Sequence, residues 1–103
     1  ANSILFATVK DTIMVYTLFK NPIQLDTHRV VKYLQLQGHE LSPTYILERN
    51  HPDWVSALPS IETDTKEKFI GWDACVEFWE RETGVQGLGY MRDEGSAHFL
   101  LRA

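Results

Sequence analysis

The run at residues 12–19 constrains the fold of this chain more than any other part of its sequence. It reads T-I-M-V-Y-T-L-F and consists almost entirely of β-branched, aromatic and other apolar residues. This composition favours a strand, and nearly continuous hydrophobicity is typical of a strand buried on both faces. We therefore predict a first strand over these residues, with both of its faces covered.

A helix and a second strand are predicted next. After Asp26, buried-type residues recur at i, i+3, i+4 and i+7, and the pattern closes at Gly38. These residues are Thr27, Val30, Val31 and Leu34. A second extended run at residues 44–48 follows the turn-forming pair Ser42 and Pro43. It could pair parallel to the first strand, so the opening unit is predicted to be βαβ.

Two short strands and a second helix complete the predicted order β-α-β-β-β-α. The strands are expected at residues 60–63 and 68–70, with the polar residues 64–67 as their hairpin connection. The helical spacing then returns and stops at Gly84. Its apolar positions are Trp72, Cys75, Val76 and Trp79. The predicted fold class is α/β, with a four-stranded mixed sheet and flanking helices.

Length and composition fit one domain. With 103 residues, of which 44% are hydrophobic, the chain can bury one compact core. We assign residues 12–84 to this domain, residues 1–11 to an N-terminal extension and residues 85–103 to a C-terminal extension. Both extensions contain apolar segments that a compact core does not require, so we expect them to form an interface. The interface residues are Ile4, Leu5, Phe6, Phe99, Leu100 and Leu101.

Charge and cysteine content exclude several classes of partner. The net charge is −4 without a run of Lys or Arg, so nucleic acid is not an expected partner. No apolar stretch approaches the roughly 20 residues that cross a bilayer, and no membrane association is predicted. Cys75 is the only cysteine, and the four histidines are scattered, so we predict no internal disulfide, no metal site and no cofactor. A cytoplasmic or particle-associated location is expected.

Three local matches give the chain a resemblance to the glutaredoxin–thioredoxin superfamily over residues 12–84. Asn-Pro-Ile-Gln at residues 21–24 stands where a glutaredoxin has C-P-Y-C, between the first strand and its helix. Leu58 and Pro59 resemble the family's cis-proline loop, which receives an extended thiol or peptide. Asp73, at the turn into the last helix, resembles an acidic residue that holds the amino end of glutathione. The resemblance implies a thioredoxin-like fold with Pro59 in the cis form.

The motif departs from the family at the two positions that carry its chemistry. Asn21 occupies the position of the nucleophilic cysteine, and Gln24 occupies that of the resolving cysteine. Disulfide exchange requires a thiolate, which a carboxamide cannot supply. An iron–sulfur cluster held through the first cysteine is excluded in the same way. Cys75 lies on the apolar stripe of the last helix and is predicted to be an inert, packed thiol.

The sequence therefore predicts a redox-inactive module that binds a protein partner or assembles with copies of itself. A minor structural subunit of a larger particle, such as a virion, fits this description. The residues expected to bind a ligand or peptide are Asn21, Gln24, Leu58, Pro59 and Asp73. No residue is assigned a catalytic role.

Two alternatives remain open at this point. In the first, the domain binds glutathione and Asn21 hydrogen-bonds its thiol, as in the amino-terminal domain of glutathione transferases. In the second, Cys75 alone supports a redox reaction. Asn21 has a simpler role as well, because asparagine commonly caps a helix or closes a turn.

Overall fold

A computed structural model of the chain describes residues 13–47 and 50–92. It contains four strands, two α-helices and one 3₁₀ turn. In chain order these are β1 (Ile13–Phe19), α1 (Asp26–Leu36), β2 (Glu40–Ile46), β3 (Ser60–Thr63), β4 (Lys68–Ile70), α2 (Trp72–Thr83) and the terminal turn (Leu88–Met91). The order of strands and helices is the one predicted from the sequence.

The strands form one mixed sheet in the order β2-β1-β3-β4. β1 pairs parallel with β2 through the α1 crossover, and it pairs antiparallel with β3, which in turn pairs antiparallel with β4. The predicted α/β class and the four-stranded mixed sheet are therefore confirmed. β1 is an inner strand of this sheet, so it contacts a strand on each side.

Both helices and the terminal turn pack against the side of the sheet that carries Tyr16 and Leu18. Every residue of the two predicted helical stripes is buried, as expected for amphipathic helices on a shared core. α2 also buries Phe78. It ends at Gly84, whose φ of 75° places it in the left-handed region that a residue without Cβ adopts readily.

The opposite side of the sheet is covered only in part, which corrects the prediction that β1 is buried on both faces. Phe19 points away from Leu18 and packs in a second, smaller cluster with Val55 and Leu58. Ile13 and Val15 lie on the same side as Phe19 but are about half exposed, at 50% and 49%. Among the described residues, the loop that carries Val55 and Leu58 supplies this second layer, at the Phe19 end of the strand.

The predicted start of the second strand was wrong by four residues. The turn expected at Ser42 and Pro43 is absent, and β2 runs through both residues, with Pro43 paired to Tyr16. Because β2 is at the edge of the sheet, it accommodates a residue without a backbone N–H. The predicted end of this strand, Glu48, lies outside the described residues, as does Thr12 of the first strand.

The first part of the predicted C-terminal extension packs against the domain. Leu88 of the terminal turn is fully buried in the main core. Its backbone N–H donates to Oε2 of Glu80 on α2, at 3.0 Å. The terminal turn thus covers the helical side of the sheet, next to both helices.

No helix among residues 13–47 and 50–92 combines the length and the apolar character needed to cross a bilayer.

Candidate functional site

The predicted site is built on the turn between β1 and α1. The backbone N–H of Gln24 donates to the carbonyl of Asn21 at 3.0 Å, which closes the turn. The Oδ1 atom of Asn21 accepts from the N–H of Ile23, also at 3.0 Å. This is the local pattern by which asparagine stabilises a turn, and it matches the simpler role considered for Asn21.

Gln24 connects this turn to the proline loop. Its side chain is almost completely buried, at 1% exposure. Oε1 of Gln24 accepts from the N–H of Asn21 at 3.0 Å, while Nε2 donates to the carbonyl of Leu58 at 3.4 Å. The carboxamide therefore satisfies one donor on the turn and one acceptor on the loop, and a buried polar group needs such partners. Asn21, Gln24 and Leu58 thus form one hydrogen-bonded group.

Pro59 joins the same group to the start of α2. The Leu58–Pro59 peptide bond is cis, as predicted. The carbonyl of Pro59 accepts from the N–H of Gly71 at 2.9 Å, immediately before α2. Asp73 lies in the first turn of that helix with an exposed side chain. The structure therefore connects four of the five predicted binding residues through the loop, and it leaves the fifth, Asp73, on the surface next to the helix start.

Cys75 is buried next to the proline loop. It is fully buried, and its Sγ atom donates to the carbonyl of Pro59 at 3.5 Å. Burial raises the pKa of this thiol well above its ordinary value, and the negative charge of Asp26 raises the pKa further. A thiol that keeps its proton and has no access to solvent is a poor nucleophile. The structure thus supports the prediction of an inert, packed cysteine.

Two buried charged residues flank the turn, and the sequence analysis did not single them out. Lys20 precedes the turn with 1% exposure, and Asp26 begins α1 with no exposed surface. The Lys20 ammonium lies 6.0 Å from the ring centre of Tyr45. Charged residues are rarely buried to this degree, so nothing in the sequence pattern would have placed them inside. The turn at residues 21–24 therefore has a buried ionisable residue shortly before it and another shortly after it in the sequence.

Trp72 and Trp54 each pack in one of the two apolar clusters. Trp72 is buried in the main core, with its ring centre 6.2 Å from that of Trp79. Trp54 packs edge-on against Phe19 in the second cluster, at 5.3 Å. Trp72 therefore offers no open stacking surface, whereas Trp54 is only partly buried and its ring centre lies 5.5 Å from the Lys68 ammonium.

The predicted interface residues cannot be placed. Ile4, Leu5, Phe6, Phe99, Leu100 and Leu101 all lie outside the described residues. Over the parts of the chain that are described, no group of three or more His, Cys, Asp or Glu side chains comes together as a metal site.

The buried thiol predicts how stability changes at alkaline pH. In the unfolded chain Cys75 loses its proton near its ordinary pKa of about 8.5, whereas in the folded chain the thiol stays protonated. Above this pH the folded state binds more protons than the unfolded state. The free energy of unfolding therefore falls with rising pH, by up to about 1.4 kcal/mol per pH unit from this group.

Urea unfolding of the wild type and of Cys75→Ala, at about pH 7.5 and about pH 9.5, isolates this contribution. The variant is expected to be less stable at the lower pH because it leaves a cavity in the core. The difference should shrink by about 1 kcal/mol at the higher pH, since only the wild type carries the thiol. A stability difference that is the same at both pH values would contradict a shielded thiol.

Comparison with known proteins yields no match for this chain, whether among protein-family models, curated protein sequences or solved structures.

Proposed function

We propose that this chain is a redox-inactive, thioredoxin-like module that binds another protein, for example as a minor subunit of a larger assembly. The element order and the sheet order β2-β1-β3-β4 are compatible with that fold. The position of the turn at residues 21–24, next to the loop of Pro59, further supports the kinship. Function cannot be taken from the fold alone, so the proposal depends on the site.

The observation that carries the proposal is the buried hydrogen bond from Gln24 to Leu58. In a thioredoxin-like oxidoreductase the corresponding position supplies a thiol. Here a carboxamide fills it and bonds to the loop carbonyl, at 3.4 Å. The thiol of Cys75 is fully buried and donates to the carbonyl of Pro59. Without a thiolate at the turn, the module has no nucleophile for disulfide exchange.

Exposed apolar side chains around the turn favour a protein partner over a small polar ligand. Ile23, at the tip of the turn, is 73% exposed, and Leu25 is 53% exposed. Apolar side chains that protrude from a turn are better covered by another protein surface than by a small polar molecule. Glutathione binding is further disfavoured because the carbonyl of Leu58 already accepts a hydrogen bond from the Gln24 side chain.

Two measurements test the proposal. The native mass of the protein isolated from its source should correspond to more than one polypeptide, with a second protein or further copies in the complex. A monomer without partners would contradict a binding role.

Titration calorimetry with reduced glutathione tests the alternative. We expect no heat of binding for the wild type. Gln24→Ala provides a variant that frees the carbonyl of Leu58 and retains the Asn21 side chain, although the backbone N–H of Asn21 loses its acceptor. Micromolar binding to the wild type would contradict the proposal and favour the glutathione-binding function. Binding to the variant alone would support the blocking role of Gln24.

A further inference from the structure

The two edges of the sheet, β2 and β4, differ in how well they can accept a further strand. An edge strand directs backbone N–H and C=O groups outward, where they can pair with another chain. In β2, the N–H of Lys20 donates to the carbonyl of Ile46, so every second residue from Ile46 backwards faces β1. Leu41 and Pro43 therefore face outward. Pro43 has no N–H, and the carbonyl of Leu41 already accepts from Nε2 of Gln35 at 3.4 Å, so the β2 edge is blocked.

The β4 edge keeps its outward groups. The N–H of Gly71 donates to the carbonyl of Pro59 at 2.9 Å, so these two residues form a hydrogen-bonded pair. In an antiparallel ladder such pairs alternate with pairs that face away from each other. Phe69 therefore bonds to β3, whereas Lys68 and Ile70 direct their N–H and C=O groups outward. Within the described parts of the chain, no strand lies on that side of β4.

The side chains of β4 leave this edge accessible. A lysine on an edge strand often opposes pairing with another chain. The Lys68 ammonium, however, lies 3.7 Å from Oε2 of Glu62 on β3 and 5.5 Å from the ring centre of Trp54, so it is directed back over its own sheet. Ile70 is 42% exposed and adds apolar surface to the edge.

The outward groups of β4 are arranged symmetrically about Phe69. In an antiparallel approach of a second copy, with the two Phe69 residues opposite each other, Lys68 of each copy faces Ile70 of the other. Both residues direct N–H and C=O outward, so each of these pairs exchanges both of its hydrogen bonds. The two Phe69 rings form a cross-strand aromatic pair, which is a stabilising arrangement. The patch is therefore complementary to itself, as a two-fold dimer requires.

The same register brings opposite charges together. It carries the residue 64–67 connection of each copy alongside the start of α2 in the other copy. Lys66 in this connection and Asp73 in the first turn of α2 are both exposed. Neither forms an ion pair with another described residue. The charges at both ends of the paired strands are thus complementary between copies.

We propose that β4 pairs with β4 of a second copy and joins the two sheets into one. The inference deepens the proposed protein-binding function and rests on it, because it names another copy of this chain as a partner. The contact uses the outward backbone of β4 and no residue of the 21–24 turn.

Sedimentation velocity of the purified full chain, from about 1 µM to about 500 µM, tests the pairing. We expect a monomer at the lowest concentration and a dimer at the highest, because so short a strand pair forms a small interface. Amide hydrogen exchange by NMR locates the contact. The N–H groups of Lys68 and Ile70 should exchange at least about twofold more slowly at high than at low concentration, whereas that of Leu41, at the other edge, should not change.

Two substitutions at one position separate backbone from side chain. Ile70→Ala and Ile70→Pro both remove the exposed side chain, but only the proline lacks the outward N–H. This N–H faces away from β3, so its loss does not interrupt pairing within the chain. We expect Ile70→Pro to weaken the dimer at least about tenfold more than Ile70→Ala does. Urea unfolding checks that both variants are folded.

A charge exchange at exposed positions tests the register independently. Lys66→Asp and Asp73→Lys should each weaken the dimer by about threefold, because each brings like charges together. The double variant should restore dimerisation, since it exchanges the two charges.

Several results would overturn the inference. A monomer at every concentration would exclude the dimer, and unchanged exchange of Lys68 and Ile70 in a dimer would place the contact elsewhere. Equal weakening by Ile70→Ala and Ile70→Pro would exclude backbone pairing. A double charge variant as weak as the single ones would exclude the two-fold register. In each case a native complex with a different protein would still support the proposed function, so the two failures are distinguishable.

Discussion

Trp79→Ala is expected to destabilise the domain by about 3–5 kcal/mol, enough to unfold much of the protein at 37 °C if its stability is typical of small domains. Trp79 has no exposed surface and lies in the main core between the sheet and α2. Its Nε1 atom donates to the hydroxyl of Tyr16 at 3.0 Å. The substitution removes a fully buried indole ring and leaves that hydroxyl without its donor, so the cavity and the lost hydrogen bond act together.

Two control variants separate these contributions. Trp79→Phe retains an aromatic ring but not the donor, so its loss of stability should be smaller than that of Trp79→Ala. Glu77→Ala changes an exposed residue of the same helix and should shift stability by no more than about 0.5 kcal/mol. The measurement is urea unfolding followed by circular dichroism. A loss below about 1 kcal/mol for Trp79→Ala would show that the core does not depend on this ring.

Asn21→Cys combined with Gln24→Cys is expected to form a reversible disulfide within the chain. The N–H of Gln24 bonds to the carbonyl of Asn21, so the two residues are the ends of a tight turn. The Cα atoms of such a pair lie within about 7 Å, which overlaps the separation that a disulfide spans. The new cysteines also stand just before a helix, where the thiolate is favoured.

Thiol titration in denaturant measures this result. The double variant should show three thiols when reduced, namely the two new ones and Cys75, and only Cys75 after oxidation. The single variant Asn21→Cys is the control and should form no internal bridge, because Cys75 is enclosed behind Pro59. Persistence of both new thiols under mild oxidation would contradict the geometry of the turn.

The helices were predictable from the sequence because each one buries a single stripe. Thr27, Val30 and Leu34 on α1 are all buried, as are Cys75 and Trp79 on α2. An amphipathic helix repeats this pattern regardless of what it packs against. Strand β1 was predictable from its composition, but the exposure of Ile13 and Val15 was not. Which sides of a sheet are covered depends on the rest of the chain.

Other features required the three-dimensional structure. Pro43 suggested a turn because local preference was read without knowing that β2 is an edge strand. Leu88 stands between Gly87 and Gly89, a context typical of a loop, and a single buried leucine has no period to reveal it. The burial of Lys20 could not be inferred because charged side chains are normally exposed.

The sequence predicted the residues of the candidate site but not the hydrogen bonds that join them. The carboxamide pair and the cis form of Pro59 were both expected, whereas the bond from Gln24 to Leu58 joins residues 34 positions apart.

The reduction of insulin by dithiothreitol tests the central claim most directly, with the wild type compared with the Asn21→Cys, Gln24→Cys variant. We propose that the chain is a thioredoxin-like module without thiol–disulfide exchange activity, because the carboxamides of Asn21 and Gln24 stand in place of two thiols. We expect the wild type to leave the rate at background and the double variant to accelerate it. Acceleration by the wild type would contradict the claim. A double variant that forms its disulfide but leaves the rate at background would also contradict the claim. The resemblance to thioredoxin-like proteins would then have no functional support.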